Sequence, residues 1–592
     1  MKGPPPPVPE HRTVNEALAH AATTRSGITF VDLREQESFL SFREIHERAR
    51  GTAAALRARG VSSGDRVALV VPTSPAFMDA YFGALLAGAV PVPLYPPFRL
   101  GRLPEYHAAT ARMIGAVEAS IVLADGRTRA LLGQAIEWSH PPLGCHTLED
   151  LDSKNYEEVQ VEVEVEPDAL GLIQFSSGST TDPKPVALSH QNLMTQLAVL
   201  KALLPPVERF PHLGVSWLPL YHDMGLISCL LLAVYYPGPL VLVQPDHFLT
   251  RPALWLRAIA RHHATLSVAP TFGYEICTKR VRDDDLSGVD LSSWRLAVCG
   301  AESVALDALE SFAGRFAAFG FDRRALRPVY GLAEATLAVT FTPPDRDIRA
   351  VHVDPARLAA TGHAVDGPRA IVSVGSPVPG NEVEVRGVDG RPVPERTVGR
   401  IFTRGPSIMA GYFGQPEATA RTIVDGWLDT GDLGFVEDGE LYVDGREKDL
   451  IIIRGSNHVA QEFEECLEDL DGVRKGCAVA LGFVPEEGRG EQLLVLAERP
   501  RTVGSNRNDA RVGEVIGRVI LNRTGIKPHT VRLLAPGTLP RTSSGKLRRA
   551  EALRQFLAGE LMPPRKVGRV RLLLEVVRSS LAFVRVRLGR EG

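Results

Sequence analysis

Residues 175–192, FSSGSTTDPKPVALSHQN, gather small hydroxyl residues around a glycine and follow them with a lysine. Backbone N–H groups, hydroxyls and a lysine charge are the groups that hold phosphate oxygens. The run differs from a Walker A loop, because Pro183 stands where the second glycine belongs and Pro185 follows the lysine. We therefore expect another kind of anion-binding loop, with a Ser/Thr-rich surface turn as the alternative. Its candidate residues are Ser176, Ser177, Gly178, Ser179, Thr180, Thr181 and Lys184.

The sequences on the two sides of this loop predict the elements that hold it. GLIQF (171–175) has the apolar pattern of a buried strand, and HQNLMTQLAVLKALL (190–204) has the pattern of a helix. A strand, a small-residue loop and a helix in this order place a phosphate at the mouth of an α/β sheet. We expect that geometry here.

Length and composition describe a large globular chain. The 592 residues predict roughly two to four domains. A content of 44% hydrophobic and 23% charged residues is ordinary for a soluble protein, and the net charge of −3 gives no reason to expect nucleic acid as a partner. Six scattered cysteines without a CxxC pair favour buried thiols in a reduced, cytoplasmic setting over disulfides or a zinc site.

Neither the first residues nor the longest apolar run predicts a membrane segment. Residues 1–12, MKGPPPPVPEHR, have no apolar core of a signal peptide and predict a disordered lead. The apolar run 225–243 is broken by Pro237, Gly238 and Pro239, so it predicts a buried helix and strand and no transmembrane span.

The pattern of predicted strands and helices changes twice along the chain. Strand and helix patterns alternate from about residue 41 to 270, which predicts a large α/β domain with mostly parallel sheets. From about 375, short strands with Asp-Gly turns predict a small antiparallel β subdomain. A compact α/β piece begins after Gly445.

Four further stretches carry a resemblance to a known superfamily. They are LPLYHDMGL (218–226), VYGLAEAT (329–336), DGWLDTGDLG to GREKDLIIIRGSN (425–457) and LPRTSSGKLRR (539–549). With the loop, and in this order, they resemble the adenylate-forming superfamily of acyl-CoA synthetases, luciferases and peptide-synthetase adenylation domains, over about residues 10–555. The segment 91–113, the SGST form of the loop and LPLYHDMGLI are similar, more narrowly, to fatty acyl-AMP ligases.

The resemblance implies a fold and a reaction. The fold is α/β, with a large N-terminal domain (13–445) of two mixed or parallel sheets and helices, a small β-barrel subdomain at about 375–445, and a small mobile C-terminal α/β lid domain (446–560). The reaction activates a fatty acid to acyl-AMP with ATP and Mg²⁺, releases pyrophosphate, and transfers the acyl group to the phosphopantetheine thiol of an acyl carrier protein.

The resemblance also assigns roles to residues. The loop would hold the β- and γ-phosphates of ATP, Tyr330 would offer a ring to adenine, and Glu334 a carboxylate to Mg²⁺. Asp432 would accept hydrogen bonds from both ribose hydroxyls. Pro185 and Ala333 depart from the residues most common in the superfamily at these positions. The residues so assigned to ATP or AMP outside the loop are Gly300, Ala301, Glu302, Tyr330, Gly331, Asp432 and Arg446.

Three more residues receive roles in this way. Lys546 would meet the substrate carboxylate and the α-phosphate, His222 would close the acyl pocket, and Lys448 would be the hinge of the lid. The alternatives are an exposed basic loop for Lys546, a structural histidine for His222 and a helix-capping or solvated acid for Glu334.

Two rival functions stay open. A fatty acyl-CoA ligase has the same fold and differs in the thiol that accepts the acyl group. A non-catalytic, adenylate-binding scaffold is the rival from another class. Against the second stands the presence of Lys184, Glu334, Asp432, Arg446 and Lys546.

Two segments lie outside the motifs that carry the resemblance, a long connection and the C-terminal tail. Residues 340–374 are longer than the same connection in typical CoA ligases, with a helix pattern capped by Asp354 and stopped by Gly362. In fatty acyl-AMP ligases such an insertion opposes the arrangement that admits CoA. The tail, 561–592, is basic and amphipathic, and predicts a helix that packs on a neighbouring domain, binds a partner or lies on a membrane, with packing favoured. Its apolar stripe is Val570, Leu574, Val577, Leu581, Val584 and Leu588.

Overall fold

The structure of the chain is a computed structural model. It describes residues 1–97, 100–151, 163–176, 183–206, 212–344, 346–453, 455–468, 470–485, 490–501, 509–542, 545–564 and 568–588. Five residues of the predicted phosphate loop, Ser177 to Thr181, lie outside these ranges. All six cysteines are buried free thiols, as expected.

The larger part of the chain, up to residue 446, alternates strands and helices before it becomes mainly β. Its strands are β1 (Gly27–Val31), β2 (Glu37–Ser41), β3 (Arg66–Val70), β4 (Val90–Pro93), β5 (Ile121–Ala124), β6 (Cys145–Thr147), β7 (Leu170–Phe175), β8 (Pro185–Ser189), β9 (Gly214–Ser216), β10 (Leu240–Val243), β11 (Leu266–Ala269), β12 (Leu296–Cys299), β13 (Leu326–Gly331), β14 (Ala338–Phe341), β15 (Ala350–Val353), β16 (Arg369–Val372), β17 (Ser376–Pro377), β18 (Glu382–Arg386), β19 (Gly399–Arg404), β20 (Gly411–Tyr412), β21 (Ile423–Val424), β22 (Trp427–Glu437) and β23 (Glu440–Arg446).

The helices of this part cover the sheets. They are α1 (Val14–Ala21), α2 (Phe42–Ala58), α3 (Pro75–Leu86), α4 (Leu103–Ala116), α5 (Gly126–Ser139), α6 (His190–Ala202), α7 (Asp223–Gly225), α8 (Leu232–Tyr235), α9 (Pro245–Thr250), α10 (Ala253–Arg261), α11 (Thr271–Arg280), α12 (Leu306–Phe316), α13 (Pro355–Thr361) and α14 (Pro416–Thr422). A π-helical turn, Leu226–Leu231, joins α7 to α8, so the apolar run is the buried helix and strand that the sequence predicts.

Two sheets confirm the α/β prediction. Within the described residues, nine strands form a mixed sheet in the order β17-β14-β13-β12-β11-β9-β10-β1-β2, parallel from β13 to β1. A four-stranded parallel sheet has the order β4-β3-β5-β6. Central strands such as LVLV of β10 are apolar throughout, because helices bury both faces of a parallel sheet.

The β subdomain is antiparallel, as predicted. Its strands pair in the order β18-β19-β22-β21, and β23 pairs with β22. The insertion forms a two-stranded ribbon, β15 with β16, around the short helix α13. Asp354 caps this helix and Gly362 ends it in a left-handed conformation, with φ of 68°, which confirms both sequence predictions.

The C-terminal part has its own apolar clusters, made of residues 451–561. It consists of β24 (Leu450–Ile453), β25 (Ser456–Val459), α15 (Ala460–Glu464), β26 (Ala478–Phe483), β27 (Gln492–Glu498), α16 (Asp509–Thr524), β28 (Thr530–Leu534) and α17 (Arg549–Leu557). The tail forms the helix α18 (Arg569–Leu588). Every helix in the described part of the chain is too short or too polar to span a membrane.

The disordered lead predicted for residues 1–12 was wrong for its first residues. The Met1 ammonium donates to the Val383 carbonyl at 2.6 Å, and Gly3 N donates to the Asn381 carbonyl at 2.8 Å. The edge of β18 offers these backbone partners, and an extended proline-rich segment can follow such an edge without a ladder of its own.

Candidate active site

The predicted phosphate loop is closed by a β-hairpin. β7 and β8 are antiparallel, with Phe175 opposite Pro185. Ser176 N donates to the Lys184 carbonyl at 2.9 Å, and Lys184 N donates to Ser176 Oγ at 3.2 Å. The prediction of a strand, a loop and then a helix was therefore wrong, because β8 stands between the loop and α6. The N-terminus of α6 lies beyond β8, at His190, so Lys184 is the described charged group nearest the loop that can meet an anion.

Tyr412, which the sequence reasoning missed, connects two of the predicted residues. Its hydroxyl donates to Glu334 Oε1 at 3.0 Å, and the Lys184 Nζ lies 4.4 Å from the centre of its ring. Tyr412 reaches this position because β20 pairs with β8 beside the loop. The GYF run at 411–413 was the available sequence signal.

Glu334 lies in a short turn after β13, with its carboxylate in the cleft. Burial raises the pKa of Glu334, and the Tyr412 hydroxyl lowers it in part. A bound cation would stabilise this carboxylate in its ionised form.

Asp432 is the centre of a hydrogen-bonded group on β22. It is 4% exposed, accepts from the Tyr330 hydroxyl at 2.7 Å and pairs with Arg446 Nε at 2.8 Å. The pairing of β22 with β23 places Asp432 opposite Arg446. An ionised carboxylate has about four acceptor sites, so two partners leave capacity for a diol.

The ends of β12 and β13 form the floor beside this group. A Cβ on Gly300 would lie 2.7 Å from a Val329 methyl group, and one on Gly331 would lie 1.9 Å from the Leu337 carbonyl oxygen. Only glycine therefore allows these strand ends to approach so closely. Glu302 follows Ala301, accepts from Phe272 N at 2.9 Å, and has a pKa that burial raises.

His222 and Asp223 stand where the chain turns into α7. His222 Nδ1 lies 2.7 Å from Asp223 Oδ1, and Met224 N donates to Asp223 at the same distance. Burial acts to raise the pKa of Asp223, but His222 and Lys546 outweigh it and hold that pKa below its usual value. The Asp223 carboxylate therefore stays ionised in the cleft wall beside His222.

Lys546 enters the cleft from the C-terminal part. Burial and Arg446 lower its pKa, while Asp223, Glu302 and Asp432 act in the opposite direction. A turn closed by the Thr542 N–H donating to the Lys546 carbonyl at 2.8 Å positions it. The alternative of an exposed basic loop does not hold for Lys546, because this residue is partly buried and lines the same cleft as these carboxylates.

Lys448 lies in a single 3₁₀ turn, Glu447–Asp449, between β23 and β24. This turn is where the chain passes from the larger part to the C-terminal part. Burial and then Arg446 lower the pKa of Lys448.

One cleft of about 2390 Å³ brings the predicted residues together. Gly300 is the one predicted residue among those described that does not line it, although its neighbour Ala301 does. The predicted residues that line it are Ser176, Lys184, His222, Ala301, Glu302, Tyr330, Gly331, Glu334, Asp432, Arg446, Lys448 and Lys546.

Apolar side chains around Trp217 line the part of the same cleft next to the nine-stranded sheet, and we call this part the apolar branch. Phe248 stacks on Trp217 with ring centres 3.9 Å apart, and Phe272 meets it edge-on. The branch is lined further by Leu200, Leu204, Leu232, Leu266, Val268 and Val298. It suits a hydrocarbon, at about 0.8 kcal/mol for each buried CH₂.

A second set of contacts, also missed from the sequence, joins the insertion to the C-terminal part. Arg369 on β16 pairs with Asp444 on β23 at 2.6 Å and with Glu465 at 3.2 Å. We call these three residues the clasp. Asp444 precedes the 3₁₀ turn at Lys448 and Glu465 follows it, so the clasp spans that turn.

Comparisons with known proteins show which proteins this chain resembles. The model of the family described as AMP-binding enzyme matches residues 18–413. A Caulobacter vibrioides protein, provisionally named an acyl-CoA synthetase, is 36% identical over 92% of this chain and 96% of its own. The medium-chain-fatty-acid–[acyl-carrier-protein] ligase JamA of Moorena producens is 32% identical over 93% and 96%. A structure from a study of fatty acyl-adenylate ligases of E. coli and L. pneumophila matches with a TM-score of 0.87 and 34% identity, over 94% of this chain and 99% of that one.

Proposed function

Because the chain belongs to the AMP-binding enzyme family, we propose that it is a fatty acyl-AMP ligase that serves an acyl carrier protein. An oxygen of the fatty carboxylate attacks the α-phosphorus of ATP, and the bond to the β-phosphate breaks to release pyrophosphate. The phosphopantetheine thiol then attacks the acyl carbon, and AMP leaves. The names of JamA and of the fatty acyl-adenylate ligases support this assignment.

Different residues of the cleft bind different parts of ATP. The loop from Ser176 to Lys184 binds the β- and γ-phosphates, and Glu334 holds Mg²⁺. The partly buried Glu334 carboxylate, bonded to Tyr412 and lining the same cleft as Lys184, fits a hydrated divalent cation, which would neutralise phosphate charge. Tyr330 faces adenine.

Asp432 and Arg446 bind the ribose, and the segment Gly300–Glu302 lines the adenine site. Asp432 is held in place by Tyr330 and Arg446, so its remaining acceptor sites are oriented before a nucleotide arrives.

The acyl chain occupies the apolar branch, with its carboxylate near His222 and Lys546. Lys546 is the observation that carries the proposal. A partly buried lysine from the C-terminal part, lining the same cleft as Asp223, Glu302 and Asp432, stands where negative charge gathers as pyrophosphate leaves.

We propose that the chain divides into an N-terminal adenylation domain (13–445), a mobile lid (446–560) that turns at Lys448, and the tail (561–592). Separate apolar clusters on the two sides of Lys448 support this division. The enzyme would work in the cytoplasm with a carrier protein and without nucleic acid.

The acyl-CoA ligase is the second candidate, and the name of the Caulobacter relative favours it. The clasp favours the carrier protein as acceptor, because it ties the insertion to the C-terminal part across the hinge. A silent, adenylate-binding homologue is the third candidate.

The test is purified enzyme with ATP, Mg²⁺ and a series of fatty acids, assayed separately for acyl-AMP, acyl-CoA and acyl-carrier protein. We expect acyl-AMP and acyl-carrier protein with little acyl-CoA. Efficient formation of acyl-CoA would assign the rival ligase, and binding of ATP without any acyl-AMP would assign the silent homologue.

A further inference from the structure

The tail helix α18 has two apolar faces, and the larger part of the molecule covers one of them. Gly133 N in α5 donates to Ser579 Oγ at 2.8 Å, and a Cβ on Gly133 would lie 2.1 Å from the Ser579 carbonyl oxygen. Ala582 is fully buried, and Arg585 pairs with Glu137 at 2.6 Å. The helix therefore packs on the larger part, as the sequence favours, but through this face and not through the apolar stripe on which that prediction rested.

The opposite face of the same helix is exposed. Six aliphatic side chains on it are each between 47% and 75% exposed. At 3.6 residues per turn they fall within an arc of about 100°, centred opposite Ser579. They are Val570, Leu573, Leu574, Val577, Leu581 and Val584. We call this set the tail stripe.

Basic residues border the tail stripe. Arg571, Arg578 and Arg585 follow one of its sides at intervals of seven residues. From residue 561 to the end, the sequence contains eight Lys or Arg and two Glu, a net charge of +6 in a chain whose total is −3. The tail is therefore strongly basic, although the chain as a whole carries a small negative net charge.

These charges decide what can cover the tail stripe. Two copies of α18 paired through the stripe would bring arginine rows together, and like charges across a helix pair oppose association. The stripe contains only Val and Leu, whereas protein interfaces are enriched in aromatic residues and Met. An aliphatic arc bordered by arginines matches a helix that lies on an anionic lipid surface.

We propose that the tail stripe and its arginines form a docking site for anionic membranes, with α5 holding the helix in place. The inference does not depend on the reaction in the cleft. The docked face keeps the helix folded without lipid, so the stripe is available at once, without the cost of ordering a free peptide.

Flotation of the intact protein with vesicles tests the proposal. We expect binding to phosphatidylcholine vesicles that contain phosphatidylglycerol, little binding to phosphatidylcholine alone, and weaker binding at high salt. The double variant Leu574→Ser with Leu581→Ser should lose at least about tenfold in binding. Arg571→Gln with Arg578→Gln should lose about 25-fold, at about fivefold for each arginine. Arg585 is left unchanged because it docks the helix through Glu137.

The matched control is Val388→Ser, a change of an exposed aliphatic residue far from the tail in sequence, which should bind like the unchanged protein. Adenylate formation should be the same in all of these variants, which shows that they fold. Absence of flotation with anionic vesicles would overturn the proposal, and so would flotation that the stripe variants do not weaken. A dimer, or a complex with an acidic carrier protein, that forms through the stripe without vesicle binding would assign the face to that partner instead.

Discussion

The role proposed for Lys546 affects one of the two half-reactions and not the other. Its charge meets negative charge that develops when acyl-AMP forms, and that charge has left with pyrophosphate before the thiol attacks. We predict that Lys546→Ala lowers acyl-AMP formation by at least about 100-fold, while transfer from preformed acyl-AMP largely survives. The two half-reactions are measured separately by pyrophosphate release and by acyl-carrier protein formation. An equal loss in both would give the lysine a structural or shared role.

The pH dependence of the same variant series checks the charge itself. Burial and Arg446 hold the pKa of Lys546 below its usual value, so its charged form is lost as the pH rises through this lowered pKa. Adenylate formation should therefore decline on the alkaline side. Lys546→Arg should retain part of the rate and move that decline to higher pH, because an arginine stays protonated there.

Tyr412 is a positioning residue between the phosphate loop and Glu334. Tyr412→Phe removes the hydrogen bond to Glu334 and keeps the ring beside Lys184. We predict that it raises the Mg²⁺ concentration for half-maximal adenylate formation by about tenfold, since a hydrogen bond to a charged group is worth about 1.5 kcal/mol or more. Tyr235→Phe is the matched control, because it removes a tyrosine hydroxyl bonded to Glu10 N in another part of the chain. Unchanged Mg²⁺ dependence in Tyr412→Phe would remove Tyr412 from the site.

At the scale of elements, local signals predicted some of the chain well and missed one strand beside the site. Asp354 and Gly362 marked the bounds of α13, because caps are local in sequence. β8 was missed because Pro185 and only a few apolar residues separate the loop from the helix pattern. Pro185 can stand in that strand because its carbonyl, not an N–H, is used: it accepts from Phe413 N at 2.8 Å.

The 3₁₀ turn at Lys448 is the element on which the proposed lid movement depends. Lys448→Pro fixes φ at this position and restricts Glu447 as well. We predict that acyl transfer slows by at least about tenfold while adenylate formation changes little, because only the second step needs the lid to rotate. Lys448→Ala, which removes the charge and leaves φ free, is the control. If both steps slow equally in the proline variant, the hinge lies elsewhere.

At the scale of the whole molecule, some contacts join residues far apart in the sequence, and no local pattern predicts them. Met1 pairs with Val383, and Gly133 accommodates Ser579, across hundreds of residues. The sequence motifs predicted the residues of the cleft because their order follows a known superfamily. The clasp and the contacts of Tyr412 were not predicted, because each depends on strands from separate sheets or domains meeting in space.

The last prediction concerns the acceptor of the acyl group, and it rests on the contacts of the insertion. Val353, Leu358, Ala364 and Ile371 pack on Phe435 and Tyr442 of the β subdomain, so the insertion is fixed to the larger part. Arg369 then ties it to Glu465 beyond the 3₁₀ turn at Lys448. We predict that removing residues 350–370 leaves adenylate formation intact and raises CoA-dependent turnover, because the C-terminal part is freed to rotate.

Arg369→Ala separates this effect from loss of packing, because it breaks the clasp and leaves the apolar contacts of the insertion in place. It should raise acyl-CoA formation severalfold, in the same direction as the deletion. Arg391→Ala, at an exposed turn of the β subdomain, is the matched control and should change nothing. Efficient acyl-CoA formation by the unchanged enzyme would contradict the prediction and assign the chain to the CoA ligases. No gain in either insertion variant would mean that restraint of the C-terminal part is not what excludes CoA.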